Sequence, residues 1–205
     1  MPDKNTKLLA GRSLLEYAAA AAVASGVIDR IVLSTDSDRI AAEGRRVGVE
    51  VPFVRPADLA RDDTPMFPVI EHALDALERD GWLAEMVVLL QPTAPLRRPE
   101  HIRDAVRELR GSGADSVVSV VEVPRHFSPD YVMRVDGGRL ESFLPGGKSV
   151  TRRQDARSAF ARDGTVYAFW HRTVREMRNI YGHDCRPLVL PAEDVITIDS
   201  PSDWA

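Results

Sequence analysis

The sequence predicts an α/β domain, and three observations predict it. Helix start and stop signals alternate with short apolar runs along the first half of the chain. The run MVVLL at 86–90 is apolar without interruption, as expected of a strand covered on both faces. From residue 125 the alternation gives way to a glycine-centred hairpin pattern and an arginine-rich stretch, before strand and helix signals resume. At 205 residues this reads as a single domain over 1–205, with 125–163 as an excursion from it.

The elements follow in order. Ser13 and Glu16 stand at capping-box spacing before LLEYAAAAAVAS, and Gly26 is placed to stop that helix. Its alanines favour helix and give a thin face for close packing. RIVLS at 30–34 reads as a buried strand, and Ser37 then caps DRIAAEGRRV, with Gly48 after it. VEVPFV at 49–54 reads as a strand near a sheet edge, because Pro52 lacks a ladder donor. Thr64 as N-cap and Pro65 at the first helical position open a helix that Gly81 closes. Pro99 opens PEHIRDAVRELR, and SVVSVV at 116–121 is a further strand. Strands separated by helices imply parallel pairing through right-handed crossovers. Beyond 125, YVMRVDGGRLESFL predicts two extended runs about a Gly-Gly turn. TVYAFW is a strand, TVREMRNIYG a helix, and DVITIDSPSDWA a strand followed by a helix start at Ser200 and Pro201.

Composition narrows the function. Apolar residues make up 44% and charged residues 28%, the balance of a globular enzyme or binding domain. A net charge of −4 argues against a nucleic-acid-binding surface. Nothing approaches the roughly 18 apolar residues of a membrane span, and the start, MPDKNTKLLAG, has no apolar stretch ahead of a cleavage site. The single Cys185 excludes an internal disulfide framework and suits a cytoplasmic location. The histidines show no metal-ligand spacing.

In an open parallel sheet, ligands bind beyond the carboxyl ends of the strands. The segments expected there are STDS at 34–37, RPADLARDDT at 55–64, QPTAPLRR at 91–98 and IDSPSD at 198–203. Their hydroxyls, amides, arginines and aspartates suit sugars, bases and phosphates. STDS and DDTP also serve as helix caps. QPTAPLRR reads equally as a rigid turn or as a site, with the Gln91 amide at the strand end able to donate and accept.

Taken together, LLAGRSLLEYAAAAAVASGVIDRIVLSTDSDRIA, VPFVRPADLARDDTP, VVLLQPTAPLRRPEHI, ADSVVSVVEVP, RRQD and IDSPSDW succeed one another in the order of a known family. The chain resembles the acylneuraminate cytidylyltransferases, the CMP-sialic acid synthetase group, over nearly its whole length. The resemblance implies a Rossmann-like nucleotidyltransferase fold: a three-layer sandwich with a mainly parallel sheet and a small inserted segment, here 125–163, that builds a homodimer. It implies that CTP and a nonulosonic, sialic-type 2-keto sugar acid combine with release of pyrophosphate, the anomeric hydroxyl attacking the α-phosphorus while Mg²⁺ neutralises the triphosphate. Positioning and electrostatics carry such a reaction.

The resemblance also implies roles. Lys4 and Asn5 fall in the segment near the nucleotide, Lys4 toward phosphate, and Arg55 is the arginine of the Arg-Pro pair facing the nucleotide. Gln91 contacts the sugar acid, while Arg153, with Gln154 beside it, points at the acceptor carboxylate, where a planar guanidinium grips with two bonds. Asp199 is the second aspartate of a terminal Asp-x-Asp pair that holds Mg²⁺, and with Arg153 it is assigned to catalysis.

Four departures from the family pattern stand out. The family's opening strand and phosphate loop, of the type IPARGGSKG, are not among these residues, and a start upstream of Met1 or a degenerate relative would each explain that. Thr197 stands where the first aspartate belongs. Asp163 replaces the family asparagine before Gly164, which should repel an anionic acceptor unless a counter-charge such as Arg162 compensates. Met66 stands where a small hydroxyl residue is common. Two alternatives stay open: a folded but inactive binder of sugar acid or nucleotide, and a related transferase such as one for 3-deoxy-octulosonate.

Overall fold

The computed structural model of the chain describes residues 4–144 and 152–204, without the side chain of Arg153. A 3-10 turn, Lys4–Thr6, precedes a minimal hairpin, β1 (Leu8–Leu9) and β2 (Arg12–Ser13). Then follow α1 (Leu14–Ser25), α2 (Asp38–Arg46), α3 (Met66–Arg79), β3 (Met86–Leu89), α4 (Pro99–Ser112) and β4 (Ser116–Glu122). The excursion contributes β5 (Met133–Asp136) and β6 (Arg139–Ser142), and the chain closes with β7 (Phe160–Trp170), α5 (His171–Met177) and β8 (Cys185–Leu190).

Capping chemistry accounts for most of the helix boundaries. The Ser13 hydroxyl accepts from the Glu16 N–H at 3.1 Å, and α1 ends on Gly26 at φ 66°, a conformation open to glycine at little cost. Ser37 caps α2 through the Ile40 N–H. Pro99 occupies the first turn of α4, where its missing N–H has no partner to lose. At α3 the expected Thr64 cap is replaced: Pro65 holds the cap position and the Thr64 hydroxyl turns to the Asp58 carbonyl.

The central sheet has the order β3-β7-β4-β8. Three of these strands run one way and β7 runs against them. Its ladders are therefore antiparallel with β3 and β4, and only β4 and β8 pair in parallel. The mainly parallel sheet expected from the sequence is thus a mixed sheet, because TVYAFW returns between two strands instead of crossing over. Alternation along the strands separates two cores. Val117, Val166 and Ala168 face Ala21 and Ala22 of α1 and Ile102, Ala105 and Leu109 of α4. Val118, Tyr167 and Phe169 face Ile70 and Leu74 of α3 and Val174 of α5. Helices on both faces of one sheet make the three layers.

Three other expectations change. RIVLS and VEVPFV meet only through a parallel bridge, Val32 to Glu50. DVITIDSP forms no strand, and the edge strand is instead CRPLVL at 185–190, whose Pro187 and exposed alternating residues hide it from a sequence reading. The chain's last described turn is 3-10, Pro201–Trp204.

Among the described residues no strand pairs with the outer edge of β3. The Glu85 carbonyl accepts from His171, so residues of the same parity bond to β7, and Met86, Val88 and Leu90 direct their peptide groups the other way. No hydrogen-bonded neighbour meets them among the described residues. All four residues of β3 are only half-buried, although the sequence reads as a fully covered strand. In amide hydrogen exchange, Val88 and Leu90 should therefore exchange at least about tenfold faster than Val87 and Leu89. Equal protection of both sets would mean that this edge is covered in solution. No helix among the described residues is long and apolar enough to cross a membrane.

Candidate active site

The carboxyl ends of β3 and β4 face the amino-terminal half of β7, and polar groups collect there. Between Val118 and Val120 the β4–β7 register shifts, so that Ser119 alone opposes a bulge of β7 at 163–166. The bulge is held from inside. One carboxylate oxygen of Asp163 accepts from the Ser119 hydroxyl at 2.5 Å and from the Thr165 N–H at 2.7 Å, while the Ser119 oxygen accepts from Val166 N–H at 2.9 Å. Gly164, at φ 78°, lies against Gln91: a Cβ built there would stand 2.4 Å from Gln91 Oε1.

Gln91 leaves the end of β3 into the loop QPTAPLRR. That loop folds back on itself through Ala94 N–H to the Gln91 carbonyl and Arg97 N–H to the Ala94 carbonyl. Arg97 is 6% exposed. Its guanidinium donates to the Thr165 carbonyl at 2.6 Å and to the Gln91 carbonyl. Burial pushes its pKa down to about 10, against the pull of Asp163. Sequence reasoning passed over Arg97; the available signal was an arginine in a rigid loop directly after a buried strand.

The terminal segment joins this cluster from the other side. Ile198 N–H donates to the Thr93 carbonyl at 2.9 Å, and the Thr197 hydroxyl donates to the Asp163 carbonyl at 3.1 Å. Asp199 projects beyond them, 63% exposed at its side chain, and pairs with Lys4 Nζ at 2.7 Å. Asn5 sits beside Lys4 in the same turn, and Lys7 lies over the Trp204 ring. Lys4, Asn5, Gln91 and Asp199 are therefore brought to one end of the sheet. Arg55 stands at the tip of the neighbouring 30–34 segment, where its guanidinium donates to the Ser34 carbonyl at 2.6 Å and its N–H to the Thr35 carbonyl. Burial lowers its pKa, with Asp36 opposing.

Gln154 is not drawn to Gln91 within the single chain. It is exposed, in the 3-10 turn Arg153–Asp155, and its carbonyl accepts from Arg125 at 2.7 Å. The Arg153 side chain lies outside the described residues. The counter-charge expected from Arg162 is a correction. Arg162 instead bonds to the Tyr181 hydroxyl, and it is the buried Arg97 that is drawn by the charge of Asp163. Met66 begins α3, partly exposed.

Among the described residues six buried side-chain polar atoms lack a hydrogen-bond partner. Three lie in the segments around Gln91 and Asp199, namely Asn5 Oδ1, Arg97 Nη1 and Asp163 Oδ2, while Ser34 Oγ and Arg55 Nε lie at the tip of the 30–34 segment. Native proteins leave few such groups, and each calls for an explanation. The three beside Gln91 and Asp199 mark a polar site at this end of the sheet. For a metal, the described residues hold no group of three potential ligands, and the Thr197 hydroxyl is already committed to Asp163. Asp199 offers an exposed hard oxygen, which would suit a Mg²⁺ that arrives on a triphosphate, since that ion keeps most of its other ligands from phosphate and water.

A family profile described as cytidylyltransferase matches residues 1–137. The chain belongs to the cytidylyltransferase family. This member is 33% identical over 208 residues to the CMP-N,N'-diacetyllegionaminic acid synthase of Legionella pneumophila, covering 100% of this chain and 88% of that protein. It is 26% identical over 206 residues to an N-acylneuraminate cytidylyltransferase of Streptococcus agalactiae, and there the chain spans only 48% of the relative's length. Against the pseudaminic acid cytidylyltransferase of Campylobacter jejuni the identity is 24%, over 99% of this chain and 87% of the other. Among solved structures, CMP:2-keto-3-deoxy-manno-octonic acid synthetase complexed with CTP superposes with TM-score 0.68 at 14% identity, covering 98% of this chain and 88% of that one. At that identity the likeness establishes the Rossmann-like nucleotidyltransferase fold, and the mixed sheet belongs to it.

Proposed function

We propose that this cytidylyltransferase transfers CMP from CTP to the anomeric hydroxyl of a sialic-type nonulosonic acid. The O–P bond to the sugar forms, the α–β phosphoanhydride breaks, pyrophosphate leaves and the hydroxyl proton passes to solvent. The observation that carries the reading is the set of unpartnered buried polar atoms beside Gln91 and Asp199, namely Asn5 Oδ1, Arg97 Nη1 and Asp163 Oδ2, with Ser34 Oγ and Arg55 Nε at the tip of the 30–34 segment. The names of relatives matched over the whole chain agree with it.

On this reading Arg55, Asn5 and Ser34 receive the cytidine half, at the tip of the 30–34 segment. Gln91, beside the bulge, receives the sugar acid. Lys4 donates to phosphate, which requires its ammonium to leave Asp199. Asp199 then holds Mg²⁺, which supplies charge neutralisation on the triphosphate. Arg153 and Gln154 lie on the excursion and serve the acceptor carboxylate from a second copy of the chain. The excursion presents Phe127, Val135, Leu140 and Phe143, each more than half exposed, and Val135 and Leu140 are cross-strand partners on one hairpin. An isolated two-stranded hairpin is marginal in water, so covering it with a second copy suits a homodimer, which sedimentation velocity reads directly.

The test is turnover. Purified protein is mixed with Mg²⁺, one of CTP, UTP or GTP, and one of N,N'-diacetyllegionaminic, pseudaminic, N-acetylneuraminic or 2-keto-3-deoxy-manno-octonic acid, and pyrophosphate is followed. CTP with at least one nine-carbon acid should give product. Release only with another nucleotide, only with the octonic acid, or with none overturns the proposal.

A further inference from the structure

Arg97 makes contacts that the reaction scheme leaves unused. Its side chain is buried, yet among the described residues no carboxylate comes within ion-pair distance and one of its nitrogens has no partner. A buried charge without an ion pair is costly, and an apolar side chain of like volume would cost less. What the guanidinium does that an apolar chain cannot is to donate to two carbonyls from separate parts of the fold at once. These are the carbonyl of Gln91, at the end of β3, and that of Thr165, in the bulge of β7. The same bulge places Gly164 against the end of the Gln91 side chain, leaving no room for a Cβ. Gln91 is thus held at its backbone by Arg97, while its side-chain amide lies in the space that Gly164, having no Cβ, leaves open.

We propose that Arg97 is a positioning residue for the acceptor: by clamping Gln91 to the β7 bulge it sets the direction in which the Gln91 amide leaves the strand tip. The proposal rests on Gln91 meeting the sugar acid. It predicts a clear difference between arginine and lysine, because an ammonium is a point donor that cannot span both carbonyls while it keeps the charge.

Two readouts test it on the full chain. The first needs no turnover: the side-chain amide of Gln91, assigned by its loss in Gln91→Glu, is followed by ¹⁵N relaxation. Its order parameter should be near about 0.8 in the parent and fall below about 0.6 in Arg97→Lys. The second is kinetic: Arg97→Lys should raise the acceptor KM about tenfold or more and leave the CTP KM within about twofold. Arg97→Met, which keeps much of the volume, should shift the same two quantities if the lysine variant folds poorly. Unchanged Gln91 order, or a loss of rate with both KM values unchanged, overturns the clamp. If neither parent nor variant turns over any acceptor, the functional reading falls, and Gln91 order still decides the clamp.

Discussion

Asp199→Ala is expected to lower turnover at saturating CTP and acceptor by about 10²–10³-fold, the usual cost of removing one group that stabilises developing charge. The carboxylate is exposed, lies two residues after Thr197, and pairs with Lys4. On the proposed reading, removing it would leave the Mg²⁺ on the triphosphate without the protein carboxylate assigned to hold it. An exposed ion pair contributes little to folding, so the melting temperature should stay within about 2 °C. Steady-state kinetics with a thermal melt separate the two effects. A rate within about threefold of the parent would remove Asp199 from the mechanism.

Asp163→Ala should be the most destabilising substitution in the site. The side chain is 7% exposed, and one of its oxygens accepts from both the Ser119 hydroxyl and the Thr165 N–H. Alanine strands both donors in the interior and leaves Arg97 with less negative charge nearby. A cost of about 3 kcal/mol or more follows from the desolvation of unpaired buried groups. Asp163→Asn keeps an oxygen for the same two donors and should cost about 1 kcal/mol or less. Urea denaturation at constant m-value measures both. If the two variants lose the same stability, hydrogen bonding to that oxygen is not what holds the bulge.

This also revises the meaning of the aspartate. From the sequence it stands where the family has an asparagine, and so reads as an anion that repels an anionic acceptor. In the folded chain one oxygen is spent on the bulge, and the buried Arg97, 66 positions earlier in the sequence, attracts the remaining charge without a direct ion pair.

Local signals carried well. Ser13, Ser37, Gly26 and Pro99 mark the ends they were expected to mark, since a cap is a contact between neighbours in sequence. The Gly137–Gly138 hairpin was legible for the same reason. Strand direction was not. TVYAFW reads identically whether it crosses over or turns back, and CRPLVL carries a proline and an exposed face that mask an edge strand. In the site, Gln91 and Asp199 could be picked out because their surroundings follow a family pattern. Arg97 could not, because its meaning lies in two carbonyls from separate strands.

The sequence alone therefore determined the helices, the α/β class, the family and the residue types available for chemistry. Each of these depends on neighbours along the chain or on an ordered run of motifs. Only the tertiary structure decided that β7 runs against its neighbours, that its bulge meets Gln91, and that Lys4 closes on Asp199. Those outcomes depend on hydrogen bonds and charges between residues far apart in the chain, whose pairing is settled only when the packed layers bring them together.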